Sequence, residues 1–165
     1  MSGAARPGKG VLVQISIIAV GRMQRGPEKD LLDLYLKRLP WKATVTEIDI
    51  KKQAANAAER KAREAERLMA AIPPGAAVLV LDEHGKALTS RIFAQKIDDW
   101  QTAGIGSLAC IIGGADGLDD SILARADLKL AFGTLTWPHM MVRAMLAEQL
   151  YRAWSISAGH PYHRD

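Results

Sequence analysis

Apolar runs and helical periodicities alternate along this 165-residue chain. Val11 to Val20 is rich in β-branched residues and predicts a strand, ended by Gly21. Gly26-Pro27-Glu28 opens a helix whose apolar side is Leu31, Leu32, Leu34, Tyr35 and Leu39, and Pro40 stops it. Ala43 to Ile50 alternates, with Val45, Glu47 and Asp49 against Thr44, Thr46, Ile48 and Ile50, which predicts a half-buried strand. Lys51 to Ala71 is a long helix of alanine and charge, broken hard at Pro73-Pro74-Gly75. Ala76 to Leu81 is short and continuously apolar, the signature of a strand buried on both faces. Asp82 to Lys86 reads as a loop, and Thr89 or Ser90 caps a helix running through Trp100. A second buried strand, Leu108 to Ile112, runs into Gly113-Gly114-Ala115-Asp116-Gly117. A short helix from about Asp119 to Arg125 and a last strand, Asp127 to Phe132, precede Gly133-Thr134-Leu135.

The closing segment predicts an unbroken helix. Thr136 is placed as its N-cap, and Pro138 suits a first turn, where a missing N–H is no loss. Val142, Met145, Leu146, Leu150, Ala153 and Trp154 recur at three- and four-residue steps and share a face, while Glu148 and Arg152 can pair one turn apart. Gly159 and Pro161 end the helix. Strands alternating with helices predict an α/β fold, a mainly parallel sheet flanked by helices. Residues 11–165 form one domain after a Gly/Ala/Pro-rich leader, 1–10, expected to be disordered. No internal repeat is visible.

Composition narrows the function classes. The formal net charge is +4, and Arg6 and Lys9 of the leader account for two of those charges. The balance is compatible with an RNA partner without demanding one. Cys110 is the sole cysteine, set among apolar neighbours, so neither an intrachain disulfide nor a cysteine zinc cluster can form, and a buried, inert thiol is expected. The run from Val11 to Val20 is too short to span a bilayer and is interrupted by Gln14 and Ser16. No metal site, no membrane association and a cytoplasmic location are expected.

Ligands of parallel α/β sheets bind beyond the carboxyl ends of the strands, here the loops after Leu81, Ile112 and Phe132. Three glycines in five residues after Ile112 suit either a cradle for a nucleotide-like ligand or a tight strand-to-helix turn. Neither Gly-x-Gly-x-x-Gly nor a P-loop lysine is present. Asp116 could contact a ligand or cap the next helix. Asp82-Glu83-His84 reads as a solvated loop sooner than a metal or acid/base cluster, and the charges of the 51–71 helix as a solvated face sooner than an RNA-facing ridge. His139 could be catalytic or bonded to backbone. Trp137 and Trp154 suit core or interface.

Several motifs together resemble one family. They are Ile111-Ile112-Gly113-Gly114-Ala115-Asp116-Gly117-Leu118, Leu135-Thr136-Trp137-Pro138-His139, and Val142-Arg143 with Ala147-Glu148-Gln149-Leu150-Tyr151-Arg152-Ala153-Trp154. The close is His160-Pro161-Tyr162-His163-Arg164, and Ile17 to Gly21 and Leu81-Asp82 with Gly85-Lys86 match in order. The whole is similar to the large-subunit ribosomal RNA methyltransferase H family, SPOUT-class enzymes that use S-adenosylmethionine. The resemblance implies an α/β knot, with the C-terminal helix threading a deep trefoil, and a homodimer whose second subunit completes the active site. It implies methylation of N3 of a pseudouridine in helix 69 of 23S rRNA, on assembled ribosomes. The implied cofactor site is Leu81, Asp82, Gly114, and the loop Gly133, Thr134, Leu135, Thr136, Trp137 and Pro138. The family often carries serines at Ala131 and Gly133, phenylalanine or leucine at Trp137, and proline-glutamate at Ala115-Asp116, which puts side-chain contacts from those positions in question.

The chemistry so implied needs a base, because N3 is a poor nucleophile until its proton leaves, and a cation for the developing imide anion. The candidates are His163 as proton acceptor, Arg164 and Arg143 as charge stabilisers or phosphate anchors, and Tyr162 as a stacking or hydrogen-bonding group. Tyr162 and His163 would act across the dimer. Two rivals are a reductase on a Rossmann sheet and a non-catalytic ribosome-binding module.

Overall fold

The computed structural model describes residues 14–50 and 54–164. Its frame is a five-stranded sheet in which every pairing is parallel, in the order β2-β1-β4-β3-β5. The strands are β1 (Gln14–Val20), β2 (Lys42–Ile48), β3 (Ala77–Ala87), β4 (Ser107–Ile112) and β5 (Leu128–Ala131). The helices are α1 (Pro27–Arg38), α2 (Ala57–Ala71), α3 (Ser90–Thr102), α4 (Asp120–Arg125) and α5 (His139–Ala158). Parallel strands need crossovers, and helices fill them on both faces.

Strand alternation divides the core in two. Ile15, Ile17, Ala19, Leu79, Leu108 and Cys110 face α3 and α5, with Phe93, Ile97, Trp100, Leu146 and Leu150 packed on them. Ile18, Val20, Val78, Val80, Ala109 and Ile111 face α2 and α4, with Leu68 and Ile122. The central strands are therefore covered on both sides, which is why they read as continuous apolar runs. Cys110 is fully buried, and burial pushes its thiol far up from the ordinary range. Asn56 caps α2 through Glu59 N–H at 2.8 Å, and Thr89 caps α3 through Ile92 N–H at 3.2 Å.

Four expectations need correction. β2 is not half-buried. It lies at the sheet edge with Ile48 as its only buried residue, because neither helical layer closes over an edge strand. The described part of the 51–71 helix begins at Ala57, after Asn56. Asp82 to Lys86 is not a loop between elements but the continuation of β3. Leu81 and Lys86 both pair with Leu130, so the four residues between them are extruded and the strand then resumes. Gly85 makes this possible, since a Cβ there would lie 2.7 Å from the Lys129 backbone. Thr136 does not cap α5. The cap position is Pro138, extended at ψ 132°, with no side-chain cap, and Thr136 stays in an exposed loop. Residues 1–10, for which disorder is expected, and Lys51 and Lys52 lie outside the described residues.

Candidate functional site

The carboxyl ends of β3, β4 and β5 and the first turn of α5 surround a cleft of about 400 Å³. Three loops line it. The extrusion of β3 supplies Leu81, Asp82 and Glu83, and the turn after β4 supplies Gly113 to Leu118. The loop after β5 supplies Gly133, Leu135, Thr136, Trp137 and Pro138. Every residue expected to hold a cofactor lines this cleft except Thr134, which belongs to the same loop without facing the space. His139 and Val142 of α5 close its floor.

The shape of each loop has a local cause. A Cβ on Gly113 would sit 2.9 Å from Leu118 Cγ, and one on Gly114 3.1 Å from Val20 Cγ1. The backbone therefore lies against β1 and its own return limb, which leaves amides and carbonyls at the cleft wall. The loop after β5 turns at Gly133, with φ at +92°, and is closed by Trp137, whose indole Nε1–H donates to Phe132 O at 2.9 Å. Asp116 does not cap α4. Asp119 does so, through Ser121 N–H at 2.9 Å, and Asp116 instead pairs with Arg60 of α2 at 2.5 Å.

The charged lining is one-signed. Asp82, Glu83 and Asp116 face the cleft, and among the described residues no lysine or arginine lines it, the nearest cation being Arg60 on Asp116. A pyrophosphate would meet Asp82 and Glu83 with no cation on them, whereas a sulfonium would be favoured. The glycine cradle, the apolar walls and these acidic side chains could hold a cationic, nucleoside-sized ligand. Among the described residues no group of three or more His, Cys, Asp or Glu could hold a metal ion.

The expected catalytic residues lie elsewhere. Arg143, a turn into α5, is fully buried. Its Nη1 donates to Glu47 Oε2, and its Nη2 to Val20 O and Gly21 O, each at 2.8 Å, and its Nε has no partner. A guanidinium with no exposed surface cannot anchor a phosphate, so within this chain it holds α5 to the ends of β1 and β2. Glu47 Oε2 also accepts from Met23 N–H at 2.6 Å, which fixes the loop after β1.

Tyr162, His163 and Arg164 follow α5 in sequence, and none of them lines the cleft; the tail folds back along the helix, so that Tyr162 reaches Glu148 and His163 reaches Arg152. They form a second cluster. Tyr162 OH donates to Glu148 Oε1 at 3.0 Å, so the Tyr35 hydroxyl, 3.0 Å away, donates to Tyr162. Burial, and then these two bonds, raise the Tyr162 pKa above the ordinary tyrosine range. The Arg152 guanidinium lies over the Tyr162 ring, 4.9 Å from its centroid, and binds Glu148. Arg152 Nη1 is 3.1 Å from His163 Nδ1. Because arginine only donates, Nδ1 accepts, and the ring proton sits on Nε2. His160 packs on Trp154 with ring centroids 5.4 Å apart, and Trp154 stacks on Tyr151 at 5.7 Å. Arg164 is exposed.

An apolar groove lies between α1 and α5 beside this cluster, lined by Leu31, Tyr35, Phe132, Met141, Ala144 and Met145 among others. Leu31 (45%) and Met141 (38%) are exposed for residues of their size. No helix of the described residues is long and apolar enough to cross a membrane.

Sequence reasoning weighed Asp116 as a ligand contact or a cap and read Glu83 as part of a solvated loop, and both line the cleft. It passed over Glu64. Glu64 carried no signal, since it sits in a helix full of charge.

A family model described as predicted SPOUT methyltransferase matches residues 13–163. The chain is 49% identical over 152 residues to the ribosomal RNA large subunit methyltransferase H of Rhodospirillum centenum, covering 92% of this chain and 99% of that one. It is 50% identical over 153 residues to the protein of the same name from Rhodospirillum rubrum, covering 93% and 100%. A solved structure of a probable methylase family protein from Haemophilus influenzae Rd KW20 superposes with a TM-score of 0.51 at 11% identity, over 94% of this chain and 71% of that one, a likeness of fold alone.

Proposed function

The chain belongs to the SPOUT methyltransferase family, and from that premise we propose that it methylates large-subunit ribosomal RNA, using S-adenosylmethionine, at N3 of a pseudouridine in helix 69 of 23S rRNA. The observation that carries this reading is the cleft itself, a glycine cradle at the strand ends whose charged lining, among the described residues, is Asp82, Glu83 and Asp116. When bound there, S-adenosylmethionine supplies a methyl group already activated on a sulfonium. Leu81, Gly114 and the 133–138 loop hold its adenosine through backbone groups, and the carboxylates favour its positive charges.

The remaining work falls to groups on RNA and protein. The N3 proton must go to a base, and the imide anion needs a cation nearby. His163 and Arg164 are the proposed pair, with Tyr162 as a contact to the base. For His163 to take the proton at Nδ1, it must first release Arg152. Arg143 acts as a positioning residue. Since the tail does not line its own cleft, it serves the cleft of a second copy. The groove between α1 and α5 is the proposed homodimer seat, and the family's deep trefoil knot is the proposed path of α5. The proposed setting is the assembled ribosome in the cytoplasm, with most of the RNA-binding surface supplied by the ribosome.

A methyl-transfer assay with labelled S-adenosylmethionine tests this. Ribosomes carrying the helix 69 pseudouridines should be labelled at N3, as read by mass spectrometry of the modified nucleoside. Ribosomes carrying uridine there should gain far less label. Equal labelling of both substrates would overturn the pseudouridine assignment, and no labelling of either would overturn the enzymatic reading.

A further inference from the structure

Beneath the glycine cradle, one arginine stands within reach of two carboxylates. Arg60 of α2 binds Asp116, which faces the cleft, at 2.5 Å. One turn further along α2 is Glu64, only 6% exposed, with no side-chain hydrogen bond to another of the described residues. The cradle rests on it, since a Cβ on Gly114 would lie 3.7 Å from Glu64 Oε1. Arg60 and Glu64 are four residues apart, the spacing at which helical side chains meet.

The arrangement is unequal. The Arg60–Asp116 pair is half-exposed, with side-chain exposures of 45% and 31%, and pairs of that kind are weakly held. Glu64 is largely enclosed, and a cation beside it would be favoured. Burial, followed by the charge of Asp116, raises its pKa, and the charge of Arg60 acts the other way. Arg63 of α2 is paired with Glu59, and its Nη1 is buried with no partner among the described residues.

We propose that Arg60 is exchanged between these carboxylates: it holds Asp116 in the empty cleft and turns to Glu64 when a cationic ligand arrives, freeing Asp116 for the ligand's ammonium group. The exchange needs a change of Arg60 rotamer and no movement of α2. It leaves the Asp116 carboxylate at the cleft wall without its arginine only when a positive group is there to meet it. This inference rests on S-adenosylmethionine being the ligand, and it assigns Asp116 the amino-acid end.

Calorimetry with S-adenosylhomocysteine, which keeps the ammonium, and with its deaminated analogue tests the exchange. D116N should bind S-adenosylhomocysteine roughly tenfold more weakly, the usual scale for one lost charge-assisted bond, and bind the analogue unchanged. E64Q should lose a similar factor, because Arg60 then stays on Asp116. The double variant R60Q/E64Q should recover wild-type affinity, since no cation remains to occupy Asp116. A merely structural role for Glu64 predicts no such recovery. If wild type and E64Q bind alike, or the double variant binds no better than E64Q, the exchange is wrong while the cofactor reading stands. If wild type binds neither compound, the cofactor reading falls and the exchange with it.

Discussion

Arg143 Nη1 and Glu47 Oε2 meet 2.8 Å apart across 96 residues of sequence, where the start of α5 crosses the ends of β1 and β2. The arginine is fully enclosed while the glutamate side chain is 35% exposed. Removing the arginine leaves Glu47 able to rehydrate but strips Val20 O and Gly21 O of their donor. We therefore expect R143M to destabilise the protein by about 2–3 kcal/mol, below the range for a wholly buried pair. Urea unfolding measures it, and a loss under roughly 0.5 kcal/mol, the scale of ordinary surface substitutions, would show that the clamp is not structural.

The cradle should tolerate a methyl group poorly, and differently at each glycine. In G114A the new Cβ meets the side chain of Val20 at 3.1 Å, which can shift slightly. Stability should fall by about 1 kcal/mol, while cofactor affinity falls roughly tenfold because the displaced amides line the cleft. In G85A the Cβ meets the main chain of Lys129 and Leu130 at 2.7 and 2.8 Å, which cannot give. Stability should fall by about 2–3 kcal/mol. Thermal unfolding with and without S-adenosylhomocysteine separates the two effects.

Tyr162 should make the protein alkali-sensitive. Burial, with its bonds to Tyr35 and Glu148, keeps its proton on above the pH at which an unfolded tyrosine loses it. Between about pH 10 and the raised native value the native state holds a proton that the unfolded state lacks. The tyrosine's contribution is thus fully present below about pH 10 and is lost as pH rises further. Urea midpoints should drop more steeply above about pH 10 for wild type than for Y162F. Parallel curves would remove this tyrosine as the cause.

If the groove between α1 and α5 seats a second copy, a charge there should prevent it. Leu31 and Met141 line the groove and are exposed in the single chain, so neither L31E nor M141E disturbs the core. Burying an unpaired carboxylate in an interface is costly, and dimer dissociation should become easier by roughly a hundredfold or more. Sedimentation equilibrium reads this directly. A wild type that sediments as a monomer at micromolar concentration would remove the homodimer from the proposal.

The sheet was largely legible because its central strands are buried on both faces and so are written as unbroken apolar runs. Val78 to Leu81 and Leu108 to Ile112 could be little else. Elements that depend on a neighbour were harder to read. Nothing in Asp82-Glu83-His84-Gly85 says that the strand resumes at Lys86, because the reason is the Leu130 backbone, 45 residues on from Gly85. Arg143 looked like a reactive cation, since the sequence cannot show that Glu47 and two carbonyls are waiting for it. The cofactor loops were placed by the general rule of strand ends and by resemblance. Glu64 was invisible because a charged residue on an alanine-rich helix is ordinarily solvated.

Two points along α5 are tied to other elements. Near its start Arg143 holds Glu47 and the end of β1, and at its middle Glu148 accepts from Tyr162, which meets Tyr35 of α1. Inserting or deleting one residue between Arg143 and Glu148 would turn everything beyond it by about 100° and shift it by about 1.5 Å. No rotamer change could then satisfy both ties. The helix is free to drift in composition along its length but not in the number of its residues, so its span acts as a fixed gauge for the distance between cleft and tail.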